Sequence, residues 1–322
     1  MPELPEVETT VQKLKNKITG KEITGVWTDW PKYFSKGSKD SDHLAKTEEE
    51  FEDCVKEEVE KVERRGKNIL IHLSGLKTLL VHQKLSGHLL VGEWVKNENF
   101  EGELNDKWEE ELWVPSKDSK DFLWNPKNRF IRLIFFFQDG TQMAFSDMRR
   151  FGKILCGPKE EIMNISDIKG LGPDPMEEDF NLDNFKELFE NKRGRIKSAL
   201  LDQKFIAGIG NIYSDEILWK AKIHPMSSAN ELEEKDLEKV YEAMNKVLEK
   251  AVKLKGTSID DYRDPEGKKG SYEQELNVYQ KEGEPCPRCG AEIEKIDLGS
   301  RATRFCPECQ SESIQQSADP KG

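Results

Sequence analysis

The chain has 322 residues, hydrophobic and charged residues each make up 35% of it, and its formal net charge is −12. That length exceeds what one core usually organises, so two domains and a small module are expected. No run of about 18 apolar residues is present to span a membrane, and the start lacks the basic and apolar regions of a signal peptide. A cytoplasmic, nucleoid-associated location is therefore expected.

An acidic total does not exclude nucleic acid, because the charge is segregated. Residues 40–63 carry eleven Asp/Glu against three Lys, whereas residues 127–153 carry six Lys/Arg against two Asp. Residues 192–222 carry seven Lys/Arg against three acids. Such a chain can still present a basic face.

The opening Met1-Pro2-Glu3-Leu4-Pro5-Glu6 places proline where removal of Met1 would leave a secondary amine. An α-amino group has a reference pKa near ~7.7–8, so much of it is unprotonated at neutral pH. That nitrogen can attack a sugar C1′, and the resulting iminium draws electrons for elimination. Glu3 is placed to donate or accept a proton. Val7, Val11, Leu14 and Ile18 then recur at helical spacing, predicting a helix over 3–17 that fixes the terminus.

From Glu22 to about Pro158 the pattern changes to short β-rich runs, among them 67–73, 78–82 and 131–137. Turn signals such as Ser74-Gly75 and Asp139-Gly140 separate them, which predicts an antiparallel sandwich or barrel. Residues 96–129, with three Trp and many acids, read as an insertion between two strands. Cys54 and Cys156 read as separate buried residues.

The segment Gly170–Pro175 reads as a linker. Helical periodicity follows over 181–191, 195–204, 212–222 and 231–254, with Asn230 as the cap of the last helix. Between two of them, Gly208-Ile209-Gly210-Asn211 forms a turn in which Asn211 would cap a helix whose free N–H groups suit a phosphate. Residues 256–284 are rich in glycine and charge and read as a mobile loop.

Cys286-x-x-Cys289 and Cys306-x-x-Cys309 stand sixteen residues apart. This is zinc-ribbon spacing, and four thiolates leave no position for water, so one structural Zn2+ is expected. The intervening hairpin should carry Arg301 and Arg304 at its tip.

Taken together, these motifs resemble the bacterial formamidopyrimidine-DNA glycosylases over nearly the whole chain. The resemblance rests on residues 1–9, Arg64-Arg65-Gly66-Lys67, Asp147-Met148-Arg149-Arg150-Phe151-Gly152, Gly208–Tyr213 and Arg301–Gln310. It implies an α+β multidomain protein. A β-sandwich bearing the terminal helix (1–160) precedes a helix–two-turns–helix domain (170–262) and a lesion-recognition loop (263–284). A zinc-finger hairpin (285–310) and a tail (311–322) follow, with DNA in the cleft between the domains.

The activity implied is removal of oxidised purines, 8-oxoguanine and formamidopyrimidines, then strand nicking by β,δ-elimination. By motif, Pro2 is the Schiff-base nucleophile and Glu3 the acid for ring opening and base departure. Lys67 donates a proton linked to β-elimination, and Arg301 is linked to δ-elimination and phosphate. Lys192, Lys197 and Asn211 match phosphate contacts, and Arg149 and Phe151 match the wedge that enters the duplex. An everted base requires such a filler.

Two positions depart from the family pattern: Leu85 replaces a methionine of the wedge, and Arg132 stands where a DNA-contacting histidine is usual. The insertion and the acidic total charge depart as well. The partner implied is double-stranded DNA with oxidised bases or abasic sites, bound by a monomer with no membrane association. Two alternatives are an endonuclease VIII relative acting on oxidised pyrimidines, and a non-catalytic damaged-DNA binder. Leu4 and the 256–284 loop favour the purine branch, in which that loop closes over 8-oxoguanine.

Overall fold

The computed structural model describes residues 1–35, 41–259 and 261–310; the expected tail at 311–322 lies outside them. The chain forms two compact units, one of residues 1–171 with 250–274 and one of 172–249 with the remainder. The boundary at Leu171/Gly172 falls within the 170–175 linker segment. Residues 250–274, by contrast, pack with the first unit although they follow the helices in sequence.

In the first unit, helix α1 (Leu4–Ile18) precedes β1 (Ile23–Thr28), α2 (Lys32–Ser35) and α3 (Glu48–Val55). The strands β2 (Val59–Arg65), β3 (Asn68–Leu73), β4 (Lys77–His82) and β5 (His88–Gly92) follow. A small hairpin, β6 (Trp94–Lys96) with β7 (Trp113–Pro115), leads to β8 (Ile131–Phe137), β9 (Gln142–Ser146) and β10 (Lys153–Pro158). Two four-stranded sheets result, ordered β1-β8-β9-β5 and β10-β4-β3-β2, and every pairing is antiparallel. Their facing side chains, including Leu133, Phe135 and Phe145 of one and Val62, Ile71, Val81 and Ile154 of the other, form one core. Val7, Val11, Leu14 and Ile18 of α1 join it, so the predicted helical stripe packs against the sheets. The alternative of a closed barrel gives way to a sandwich.

The outer faces are covered too. Leu70, Leu80 and Leu155 pack under α4 (Lys159–Asn164) and α5 (Ser166–Lys169) through Ile162 and Ile168. Strand β3 is buried at all six positions, which is why its sequence runs apolar without alternation. Trp113 and Leu123 of the insertion, with Trp94 just before it, cover the opposite outer face, packing on Leu90, Ile134 and Ala144. Cys54 and Cys156 form a disulfide across 102 residues. This corrects the reading of two separate thiols, because only the packing of α3 beside β10 brings them together.

In the second unit, α6 (Leu182–Phe189), α7 (Ile196–Leu201) and α8 (Asn211–Ala221) precede the hairpin β11 (Glu294–Leu298) with β12 (Arg301–Phe305). Helix α9 (Glu234–Lys253) runs from this unit into the first. It starts at Glu234, not at 231, because residues 229–231 form a 3-10 turn and Leu237 N–H donates to Glu233 O. Asn230 therefore does not cap it. Among the described residues no helix is long and apolar enough to cross a membrane.

Candidate active site

The chain terminus is held in place by its own first turn. Pro2 is buried and Glu3 is the N-cap of α1, in a capping box with Glu6. Glu6 Oε2 accepts the Glu3 N–H at 2.9 Å. Its other oxygen accepts Thr257 N–H at 2.6 Å and the Thr257 hydroxyl at 3.2 Å. The Tyr262 hydroxyl donates to the Glu6 carbonyl at 3.0 Å. Gly256, at φ +74°, is required here, since a Cβ would sit 2.5 Å from Glu6 Oε1. Glu6 is thus a positioning residue that sequence reasoning passed over; its only signal was the capping-box spacing from Glu3.

The described residues of the 256–284 segment do not form a loose loop. Thr257, Ser258, Tyr262, Arg263 and Asp264 are all buried, and Lys13 of α1 reaches Asp264 at 2.5 Å and Glu266 at 2.9 Å. Beyond Gln274 the segment belongs to the second unit, where Glu216 accepts the N–H groups of Asn277, Val278 and Tyr279. Its glycine and charge content serves turns and ion pairs, which composition alone could not distinguish from mobility.

Lys67 occupies the β2–β3 turn and is buried. Arg64 fixes that turn, with Nε on Glu8 of α1 at 2.8 Å and Nη1 on Gly66 O at 3.1 Å. Gly66 has φ +57°, a conformation that glycine adopts without strain. Arg65 donates to Leu171 O at 3.0 Å.

Two loops of the same unit present apolar residues to solvent. Leu85 is 39% exposed, Met148 41% and Phe151 52%, and Arg149 is exposed beside them. Exposed large apolar groups in one place mark an interaction surface. Asp147, fully buried, joins the two loops: it accepts the Ser86 hydroxyl at 2.6 Å, Gly152 N–H at 2.8 Å and the Tyr33 hydroxyl at 3.1 Å. Arg149 N–H in turn donates to Ser86 Oγ at 3.0 Å. Burial, then the Asp147 carboxylate, pushes the Tyr33 phenol far above its usual value. A Cβ at Gly87 or Gly152 would lie 2.4 or 2.6 Å from the Phe145 ring, so both loops need glycine there. Asp147 and Met148 were missed as functional candidates. Arg132 points instead at Asp29 (2.8 Å), an acceptor it shares with Arg150 (2.9 Å).

In the second unit, Gly210 is the N-cap of α8 and Asn211 its first residue, not the cap. Asn211 Nδ2 donates to Ala302 O of the zinc hairpin at 3.0 Å. Lys197 is fully buried rather than set at a phosphate: Nζ donates to Asp215 Oδ1 at 2.6 Å and Thr303 Oγ1 at 2.8 Å. An ammonium enclosed this way braces α7 and α8 against β12. Lys192 pairs with Asp202 at 2.9 Å and stacks over Phe205. Arg301 is exposed at the end of the hairpin, next to the Gly299-Ser300 turn. Arg304 is not at the tip; it pairs across with Lys295 and holds Glu282 through two bonds of 3.1 Å.

The sulfurs of Cys286, Cys289, Cys306 and Cys309 all lie within 4.8 Å of one another, a spacing that fits one tetrahedral zinc ion. Trp219 of α8 packs on this site, with Nε1 3.5 Å from Cys286 Sγ and its ring 4.1 Å from Arg288. The four cysteines would hold one structural zinc, which fixes the hairpin that carries Arg301.

Comparison with known proteins matches three family descriptions along the chain. They are the formamidopyrimidine-DNA glycosylase N-terminal domain (1–154), its H2TH domain (171–263), and a zinc finger found in FPG and IleRS (283–311). A formamidopyrimidine-DNA glycosylase of Pelotomaculum thermopropionicum is 37% identical over 310 residues, covering 96% of this chain and 99% of that one. A Lactococcus lactis FPG variant in complex with Fapy-dG-containing DNA matches with a TM-score of 0.77 and 30% identity, over 97% of this chain and all of that one. The wild-type Lactococcus lactis FPG (MutM) bound to oxidised-pyrimidine DNA matches with a TM-score of 0.76, at the same identity and coverage.

Proposed function

The chain belongs to the formamidopyrimidine-DNA glycosylase family and is a DNA glycosylase acting on oxidised lesions, and we propose that it excises oxidised purines through an imine at Pro2 and then nicks the strand. Its partner in this reading is duplex DNA carrying an oxidised base or an abasic site.

The observation that carries the reading is the fixed chain start: Pro2 is buried, Glu3 caps α1, and Glu6 locks both to the body of the unit. With Met1 removed, the Pro2 nitrogen attacks C1′ while Glu3 protonates the ring oxygen, and the base leaves with its bonding electrons and takes up a proton. Loss of a C2′ proton expels the 3′-phosphate, and a second elimination expels the 5′-phosphate. Lys67, in its fixed turn, serves the first proton transfer, and Arg301 holds the phosphate for the second. Leu85, Arg149 and Phe151 fill and face the space left by the everted nucleotide. Asn211, at the N-terminus of α8, together with Lys192 and the Lys197-braced helix pair, meets the DNA backbone. Arg132 contributes positive charge beside the wedge.

The test is borohydride trapping on 8-oxoguanine duplex, after the intact mass has shown that Met1 is removed. A covalent adduct should map to Pro2 and be greatly weakened in Pro2→Gly; an adduct at a lysine would exclude Pro2. A second reading, excision of oxidised pyrimidines, draws support from the oxidised-pyrimidine complex of the Lactococcus lactis relative. Faster release of thymine glycol than of 8-oxoguanine from matched duplexes would make it the better one.

A further inference from the structure

The 96–129 insertion has no role in the reaction as set out above, yet it reaches the segment that clamps Glu6. Asn128 is fully buried at its far end. Its Nδ2 donates to Phe122 O at 2.9 Å, and its Oδ1 faces His88 Nε2 at 3.1 Å. Residues 261–270 are seated on this platform. Gly267, at φ +81°, lies so close that a Cβ would be 2.6 Å from Phe122 O and 2.8 Å from Asn128 Nδ2. Lys268 stacks over the Phe122 ring at 4.8 Å, and Lys127 pairs with Asp261 at 2.6 Å. Next to the insertion, Val91 N–H donates to Pro265 O at 2.7 Å.

We propose that the insertion is an internal brace for the catalytic terminus: it clamps residues 261–270, which Tyr262 O and Gly270 N–H tie to Ser258, and the adjoining Thr257 holds Glu6, which holds the Glu3 backbone. Every link lies in one unit, so no movement between the two units enters the argument. Segments of this length are otherwise costly to order, because fixing each residue forfeits about 1–2 kcal/mol of backbone entropy. A folded aromatic platform, built on Trp108, Trp113 and Trp124, offsets that cost before substrate arrives. Asn128 and Lys127 are thus positioning residues, acting on Pro2 and Glu3 through the chain of contacts. This inference rests on the reading that those two groups react.

The experiment uses the full chain with Asn128→Ala, Lys127→Ala and Lys127→Arg. It measures amide exchange at Thr257, the single-turnover rate on 8-oxoguanine duplex, and DNA affinity. Removing the Asn128 amide takes away the buried partner of His88 Nε2 and of Phe122 O, so exchange should speed up and turnover slow down on the order of tenfold. The half-exposed Lys127–Asp261 pair is weaker, and about threefold is expected for Lys127→Ala, with Lys127→Arg restoring both readings. DNA affinity should not change in any variant, which separates positioning from a loss of binding. Wild-type exchange at Thr257 in Lys127→Ala and in folded Asn128→Ala overturns the brace, as does faster exchange with an unchanged rate. Should Asn128→Ala fail to fold, Lys127→Ala decides alone, since its side chain is outside the core. Failure of wild-type protein to form a Pro2 adduct overturns the reading of the terminus instead, and leaves Thr257 exchange as the measure of the brace.

Discussion

Asp147 illustrates how a single buried acceptor can organise an exposed surface. Three donors converge on its carboxylate, and two of them, Ser86 and Gly152, come from the loops that carry Leu85, Arg149 and Phe151, while Tyr33 reaches in from α2. Asp147→Asn would turn an N–H2 group toward at least one of those donors. A buried donor left without an acceptor costs about 1–3 kcal/mol, so urea unfolding should show a loss of that size, with weaker binding to lesion duplex. Tyr33→Phe, which removes one donor only, should cost less on both measures. His88 gives a residue-scale prediction about pH. Burial holds it neutral, with its pKa brought down to about 4 from 6.5, and the nearby Arg263 adds to this. Neutral imidazole has one N–H, and its two ring nitrogens face two acceptors, Asn128 Oδ1 at 3.1 Å and Ser86 O at 3.3 Å. The unfolded chain takes up a proton near 6.5 and the folded one only near 4. Stability should therefore be full above 6.5 and fall as the pH drops toward 4. In His88→Gln, urea unfolding midpoints should vary less across that interval.

Among the elements, α3 and β10 are the pair whose connection was least visible. Their disulfide closes a separation of 102 residues, and a cross-link of that kind typically contributes about 2–4 kcal/mol, chiefly by restricting the unfolded chain. Reduction under native conditions should lower the denaturant midpoint correspondingly, whereas Cys54→Ser with Cys156→Ser should show the lower midpoint with and without reductant. An unchanged midpoint on reduction would mean that the pair adds nothing to the sandwich core around Phe51 and Ile154. Helix α1 shows the opposite case. Its apolar stripe predicted both where it lies and which face it buries, because that signal is local. The start of α9 was misplaced by three residues because a 3-10 turn at 229–231 competes for the same polar residues.

For the whole molecule, the boundary between what was legible and what was not follows the range of the interactions. Several local patterns could be read without coordinates: the terminal proline motif, the strand-and-turn rhythm of the sandwich, and the paired cysteines at ribbon spacing. Each depends on residues a few positions apart, where backbone geometry and ligand chemistry leave few options. Other features needed the fold: the Cys54–Cys156 bond, the burial of Lys197 against Asp215, the joining role of Asp147, and the seating of Thr257 on Glu6 and of residues 261–270 on the insertion. Apart from the Asp147–Gly152 bond, these contacts join residues separated by 18 to more than 250 positions. A polar residue in sequence carries no mark of whether it will face water or an enclosed partner. That choice is made only when distant segments pack and the desolvation of each charge must be met by a specific neighbour.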